Sequence, residues 1–155
     1  MDAVEPPFHL LPGQTILLVE DNDDEVFMMQ RACRKANIQN PLRVVGNGEE
    51  AIDYLDGTGS FADRIHFPLP TVLFLDLNMP KKSGLEVLHY IRQHPIFRKL
   101  TVNILTSSTR PADLEQAAFL GANAYLIKPA QIEKFQELIL AWYNLARYQA
   151  FSPID

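Results

Sequence analysis

Short apolar runs alternate with stretches of helical period along most of this chain. Thr15-Ile16-Leu17-Leu18-Val19 is rich in β-branched residues and leucine and stops at Glu20-Asp21, the pattern of a buried strand. Residues 24–37 contain neither glycine nor proline and read as a helix, with Asn22 or Asp23 placed to cap it. Leu42 to Val45 reads as a second strand stopped by Gly46-Asn47-Gly48, and Glu49 to Asp56 as a second helix ended by Gly57. Residues 57–70 are loop-like, with two glycines and then Pro68 and Pro70. Thr71 to Leu75 is the most apolar strand and stops at Asp76; Gly84 to His94 is a helix closed by Pro95. Thr101 to Leu105 makes a fourth strand leading into Thr106-Ser107-Ser108. A fourth helix runs from about Pro111 to Leu120, with Gly121 as its C-cap. Ala124 to Ile127 is the fifth strand, followed by Lys128-Pro129. In the last helix, from about Gln131, Ile132, Phe135, Leu138, Ile139, Trp142, Leu145 and Ala146 recur at helical spacing.

Strands that are apolar at every position have both faces covered, so strict strand–helix alternation predicts an α/β fold with a doubly wound parallel sheet. In such open sheets, functional groups collect at the carboxyl ends of the strands.

Composition narrows the field. The 155 residues form about one domain, and 47% hydrophobic content supplies a core without disulfides or structural metal. A formal charge of −5 argues against nucleic acid and against an anionic membrane surface as partners. Cys33 is the lone cysteine, so no internal disulfide forms, and no Cys/His set has zinc spacing. Met1 to Gln14 carries acids and three prolines instead of a signal peptide's basic start and apolar run, and no apolar stretch approaches the ~20 residues that span a bilayer. The expected setting is the cytoplasm, with residues 1–13 a flexible arm.

The strand ends carry the candidate chemistry. The first strand ends in Glu20-Asp21, the third in Asp76, the fourth in Thr106 and the fifth in Lys128. Each alone reads as a solvated turn or helix cap; together they converge three acids, a hydroxyl and an ammonium on one edge. Three neighbouring carboxylates are costly without a cation, and hard oxygen donors suit magnesium. A carboxylate can also act as nucleophile and form an acyl phosphate, whose oxygens magnesium, a lysine and a hydroxyl would hold. Asp23 and Asp24 read as solvated first-turn acids of the first helix.

Val19-Glu20-Asp21-Asn22, Leu75-Asp76-Leu77-Asn78-Met79-Pro80 with Gly84, Leu105-Thr106-Ser107-Ser108 and Tyr125-Leu126-Ile127-Lys128-Pro129 together resemble the receiver domain of two-component response regulators, over about residues 15–146. The resemblance implies a flavodoxin-like (βα)5 fold with strand order 2-1-3-4-5 and a receiver domain over residues 14–148. It implies Asp76 as phosphoacceptor, with Thr106 and Lys128 as its catalytic partners. It further implies magnesium on Glu20, Asp21, Asp76 and the backbone carbonyl of Asn78, with Asp21 the direct ligand of the acidic pair. Thr106 and Tyr125 would form the switch, Tyr125 turning inward as Thr106 moves, and the Lys128–Pro129 peptide would be cis. Glu20 replaces the commoner Asp, and Ala130 stands where a large apolar residue is common. Asn103 is a polar residue amid an apolar strand and needs hydrogen-bond partners if buried.

After the last helix only a tail, residues 149–155, is expected, with no output domain, so signalling would run through protein contacts to a downstream protein. The long loop before the third strand, Lys81-Lys82-Ser83-Gly84 and the long last helix resemble stand-alone regulators paired with bacterial phytochrome histidine kinases. The expected protein is thus a phosphoacceptor and not a turnover enzyme. The alternatives are a phosphorylation-independent adaptor with the same fold and a magnesium-dependent phosphohydrolase; Asn78, two residues after Asp76, is not the acid that the large hydrolase class places there. Val26-Phe27-Met28-Met29 span too much of a helix's circumference all to face the sheet, which suggests a kinase contact. In the last helix, Ile132, Phe135, Ile139, Trp142 and Ala146 form one stripe for the sheet to cover. Leu138, Tyr143, Leu145, Tyr148 and Phe151 lie off it or beyond the helix's expected end, and suggest a homodimer through this helix.

Overall fold

The computed structural model describes residues 10–151 and the side chains of residues 10–147. Among these, β1 (Ile16–Val19), β2 (Leu42–Val45), β3 (Val72–Leu75), β4 (Thr101–Thr106) and β5 (Ala124–Ile127) form one parallel sheet in the order β2-β1-β3-β4-β5. The helices are α1 (Asp23–Lys35), α2 (Gly48–Asp56), α3 (Gly84–Gln93), α4 (Pro111–Phe119) and α5 (Ile132–Phe151). Every residue of β1, β3 and β4 is buried, whereas the edge strands β2 and β5 are mostly half-buried. The uniform apolarity of the central strands follows from cover on both faces.

Alternation along the strands divides the core into two layers. Leu17, Val19, Leu73, Leu75, Val102 and Ile104 pack with residues of α2, α3 and α4. Ile16, Leu18, Val72, Phe74 and Leu105 pack with Met29, Ala32 and Cys33 of α1 and Phe135, Ile139 and Ala146 of α5. The helix starts are set locally: Asn22, Asn47 and Ser83 each accept a hydrogen bond from the backbone N–H three residues on.

The segment after α2 is irregular but built. A 3-10 turn spans Gly59–Phe61, and the rings of Tyr54, Phe61 and Phe67 meet in tilted and edge-to-face contacts with centroids 5.2–6.0 Å apart. The Arg64 guanidinium donates to the carbonyls of Tyr54 and Leu55 at 2.6 Å, satisfying the exposed end of α2.

Several expectations change. Leu10, assigned to the flexible arm, is 2% exposed and part of the α1–α5 core layer, and Asn40 Nδ2 donates to the carbonyls of Leu11 and Gln14. A leucine that reaches the core gains more from burial than the preceding prolines suggest; residues 1–9 lie outside the described residues. Helix α5 runs on to Phe151 and takes in 149–151 of the assigned tail, because no glycine or proline interrupts the run from Ile132 to Phe151. Ile132, assigned to the covered stripe, is 46% exposed: it has the right phase but lies at the helix start, before α5 reaches the sheet. Among the described residues no cis peptide occurs, so Lys128–Pro129 is trans, the form an X–Pro bond takes by about 0.5–1 kcal/mol where nothing selects cis.

Candidate functional site

The topology brings the strand ends together. Val19 pairs with Leu75, Leu75 with Ile104, and Thr106 with Ile127, so the residues just beyond these pairs share the carboxyl edge of the sheet. Glu20, Asp76 and Thr106 are all buried there, at 3%, 7% and 0% exposure. The Asp76 backbone N–H donates to the Val19 carbonyl and that of Lys128 to the Thr106 carbonyl, which fixes the bases of both side chains.

Lys128 is the hub. Its Nζ donates to Glu20 Oε1 at 2.5 Å and to Glu25 Oε2, and lies 3.6 Å from Asp76 Oδ2. Glu20, Glu25 and Asp76 each turn a carboxylate oxygen into a common volume, all within 4.8 Å of one another. Three hard oxygen donors in that space fit a small divalent cation. Burial and the hydrogen bond to Glu25 push the Glu20 carboxyl up to about 8, against the pull of Lys128. Burial also pushes Glu25 upward, but its hydrogen bonds to Glu20 and Lys128 outweigh this and hold its carboxyl below the usual range. Both glutamates thus face a single ammonium, and Glu20 is the more strongly driven towards its neutral form. Burial works against the charge of Lys128 too, yet its hydrogen bonds to both acids raise it.

Two expected ligands stand apart from this cluster. Asp21 is exposed, immediately before the cap residue Asn22 where the chain turns into α1. Asn78 is exposed as well, and its backbone N–H lies 3.5 Å from Asp76 Oδ1. Glu25, in turn, was not legible as a site residue. It follows two solvated acids, Asp23 and Asp24, and only its place three residues after the cap aims it back across the helix end towards Lys128.

The expected switch residues lie next to each other. Thr106 Oγ1 is 3.4 Å from the Ser108 backbone N–H. Tyr125, expected to turn inward as Thr106 moves, is half-buried against the α2–α3–α4 core layer, its hydroxyl donating to the Ser108 carbonyl at 3.1 Å. The ring gains cover and the hydroxyl a partner in that position. Ser108 Oγ bonds Asp113 Oδ2 at 2.6 Å, tying the β4–α4 loop to the first turn of α4.

The family model of the response regulator receiver domain matches residues 16–140. The response regulator Rcp1 of Synechocystis is 31% identical over 128 residues, covering 83% of this chain and 85% of Rcp1. Response regulator RPA3017, solved as part of red light signaling in R. palustris, superposes with a TM-score of 0.83 at 35% identity, over 92% of this chain and 99% of RPA3017. The phosphorylated cyanobacterial phytochrome response regulator RcpA superposes at 0.80 with 28% identity, over 91% and 96%. Rcp1 in its Mn(2+)-bound form superposes at 0.74 with 28% identity, over 92% and 97%.

Proposed function

The chain belongs to the response regulator receiver family, and from that premise we propose that Asp76 accepts a phosphoryl group from a histidine kinase in a magnesium-dependent transfer. The observation that carries this reading is a buried Asp76 carboxylate within 3.6 Å of Lys128, beside two further acids. An Asp76 oxygen attacks phosphorus, the P–N bond to the donor imidazole breaks, and its electron pair returns to the ring. Magnesium, when bound, neutralises the phosphoryl oxygens and the acids they approach. Glu20 and Asp76 would offer it buried oxygens, and the resemblance implies Asp21 and the Asn78 carbonyl as further ligands. Lys128 then pairs with the transferred group, and Thr106 offers it a hydroxyl.

A phytochrome-type kinase is the donor this reading takes, supported by the likeness to RPA3017 and RcpA. The reaction is stoichiometric, with slow loss of the phosphoryl group, and its setting is the cytoplasm. No helix among the described residues is long and apolar enough to cross a membrane. Signalling passes through protein contacts, including a homodimer along α5. The exposed Leu145 and half-buried Leu138, seven residues apart on one flank of α5, support that dimer; Tyr148 and Phe151 lie outside the residues whose side chains are described.

The test is incubation with acetyl phosphate and magnesium. One phosphoryl mass added at Asp76, absent in Asp76→Asn and in chelator, is the expected result. Labelling of Asp76→Asn at the wild-type rate, or multiple turnovers per minute, overturns it.

A further inference from the structure

Glu25 contacts the one cation of this cluster, yet the transfer just described gives its carboxylate no step of its own. Its backbone N–H is held by the Asn22 side chain at 3.1 Å, so the residue is fixed in the first turn of α1 whatever its side chain does. Its carboxylate does not return to the cap; it crosses to Lys128 Nζ. The Asn22 backbone N–H donates instead to Glu20 Oε2 at 3.2 Å, so both acids that hold the lysine are tied to the start of α1. Lys128 is therefore bonded to two glutamates while the Asp76 oxygen stands off at 3.6 Å. Charge-assisted hydrogen bonds of this kind are about twice as strong as neutral ones, so the hold is not incidental.

We propose that Glu25 is a positioning residue that keeps the Lys128 ammonium in reserve, so that a phosphoryl group arriving on Asp76 must compete with the Glu25 carboxylate for the lysine. The proposal rests on the reading of Asp76 as phosphoacceptor. The move is short, since Lys128 Nζ already lies 3.6 Å from Asp76 Oδ2. A cavity of about 140 Å³ lined by Glu20, Glu25, Lys128, Ala130 and Phe135 lies on the Glu25 side of the lysine. In the exchange the ammonium leaves a carboxylate on α1 and gains a phosphoryl oxygen on β3. Glu25 thereby links the position of α1 to the readiness of the site, and a partner that shifts the first turn of α1 frees the lysine.

Three variants on one helix turn test this. Glu25→Gln removes the competing charge, Glu25→Asp keeps the charge but shortens the reach, and Asp24→Asn removes the same charge from the exposed neighbouring position. With acetyl phosphate and magnesium, Glu25→Gln and Glu25→Asp should label about fivefold faster than wild type, a barrier change of about 1 kcal/mol, while Asp24→Asn stays within about twofold. Equal acceleration by Asp24→Asn overturns the proposal, because general repulsion would then explain the rate; so does a Glu25→Asp variant at the wild-type rate. The Lys128 ¹⁵Nζ resonance gives a second readout that needs no phosphorylation. It should shift in Glu25→Gln and not in Asp24→Asn, and an unchanged resonance in Glu25→Gln overturns the contact itself. Absence of labelling in every variant with a shifted resonance would instead refute the role of Asp76, which separates the two failures.

Discussion

Gly84 sits against the backbone carbonyl of Asp76: a Cβ at position 84 would fall 2.1 Å from that oxygen. The close approach closes the β3–α3 loop, whose Gly84 N–H donates to the Leu77 carbonyl at 3.1 Å. Gly84→Ala must push this loop away from Asp76 or shift α3. Overpacking of this kind costs about 1–3 kcal/mol. Urea denaturation should show that loss, and acetyl phosphate labelling should slow with it. Unchanged stability and labelling would mean the loop yields freely and does not set the position of Asp76.

Asn103 stands in β4 between Phe74 of β3 and Ala124 of β5, 3% exposed, and its Nδ2 has no hydrogen-bond partner among the described residues. A buried donor left unmatched costs about 1–3 kcal/mol. Asn103→Leu, of similar size, should therefore raise the urea midpoint with an unchanged m-value. A lower midpoint would show that the amide is satisfied by a group such as an ordered water.

The course of the strands, the sheet's parallel order and the gathering of Glu20, Asp76, Thr106 and Lys128 were legible because burial on both faces forces continuous apolar runs. The first polar residue after each run then marks a strand end. Glu25 was not legible, since three consecutive acids at a helix start differ only in helical phase and reach. The same limit applies to Leu10 and Ile132. Periodicity assigns a residue to a face but does not show whether anything lies over that face. The ligand role of Asp21 and the switch role of Tyr125 depended on family likeness, which gives roles but not side-chain positions.

Cys33 lies in the α1–α5 core layer at 7% exposure, and burial pushes its thiol up to about 11, with Arg34 opposing. Because only the thiolate reacts, iodoacetamide at pH 8 should modify the native protein far more slowly than the urea-unfolded chain. The stability sign follows from the raised value. Between its ordinary pKa near 9 and about 11, the unfolded chain ionises this thiol and the folded chain does not, so the contribution is full below 9 and is lost as pH rises through 11. Cys33→Ser titrated over the same range should lack that decline; equal alkylation of native and unfolded protein would refute the buried thiol.

Of Val26-Phe27-Met28-Met29, Met29 is buried, Val26 and Met28 are half-buried, and Phe27 is 54% exposed. The kinase contact suggested for this run therefore falls to Phe27, exposed two residues beyond Glu25. Phe27→Glu should slow transfer from a phosphorylated histidine kinase by about tenfold, as for loss of an aromatic interface anchor, with acetyl phosphate labelling unchanged. Equal slowing with both donors would place the defect in the site and not in docking.

The proposed dimer along α5 allows a sharper test because the covered and uncovered faces of this helix are now distinguished. Phe135, Ile139 and Ala146 are buried against the sheet, and the Trp142 ring meets Phe74 at 4.7 Å, so changes there would unfold the domain. Leu145 is 61% exposed and touches neither role. Leu145→Glu should leave the urea midpoint within about 0.5 kcal/mol of wild type, as surface substitutions do, yet weaken a dimer by burying a charge at its contact. Sedimentation at micromolar concentration is the measurement: dimeric wild type with monomeric Leu145→Glu is the expected pair. A monomeric wild type, or a variant as dimeric as wild type, would remove this flank of α5 from the interface.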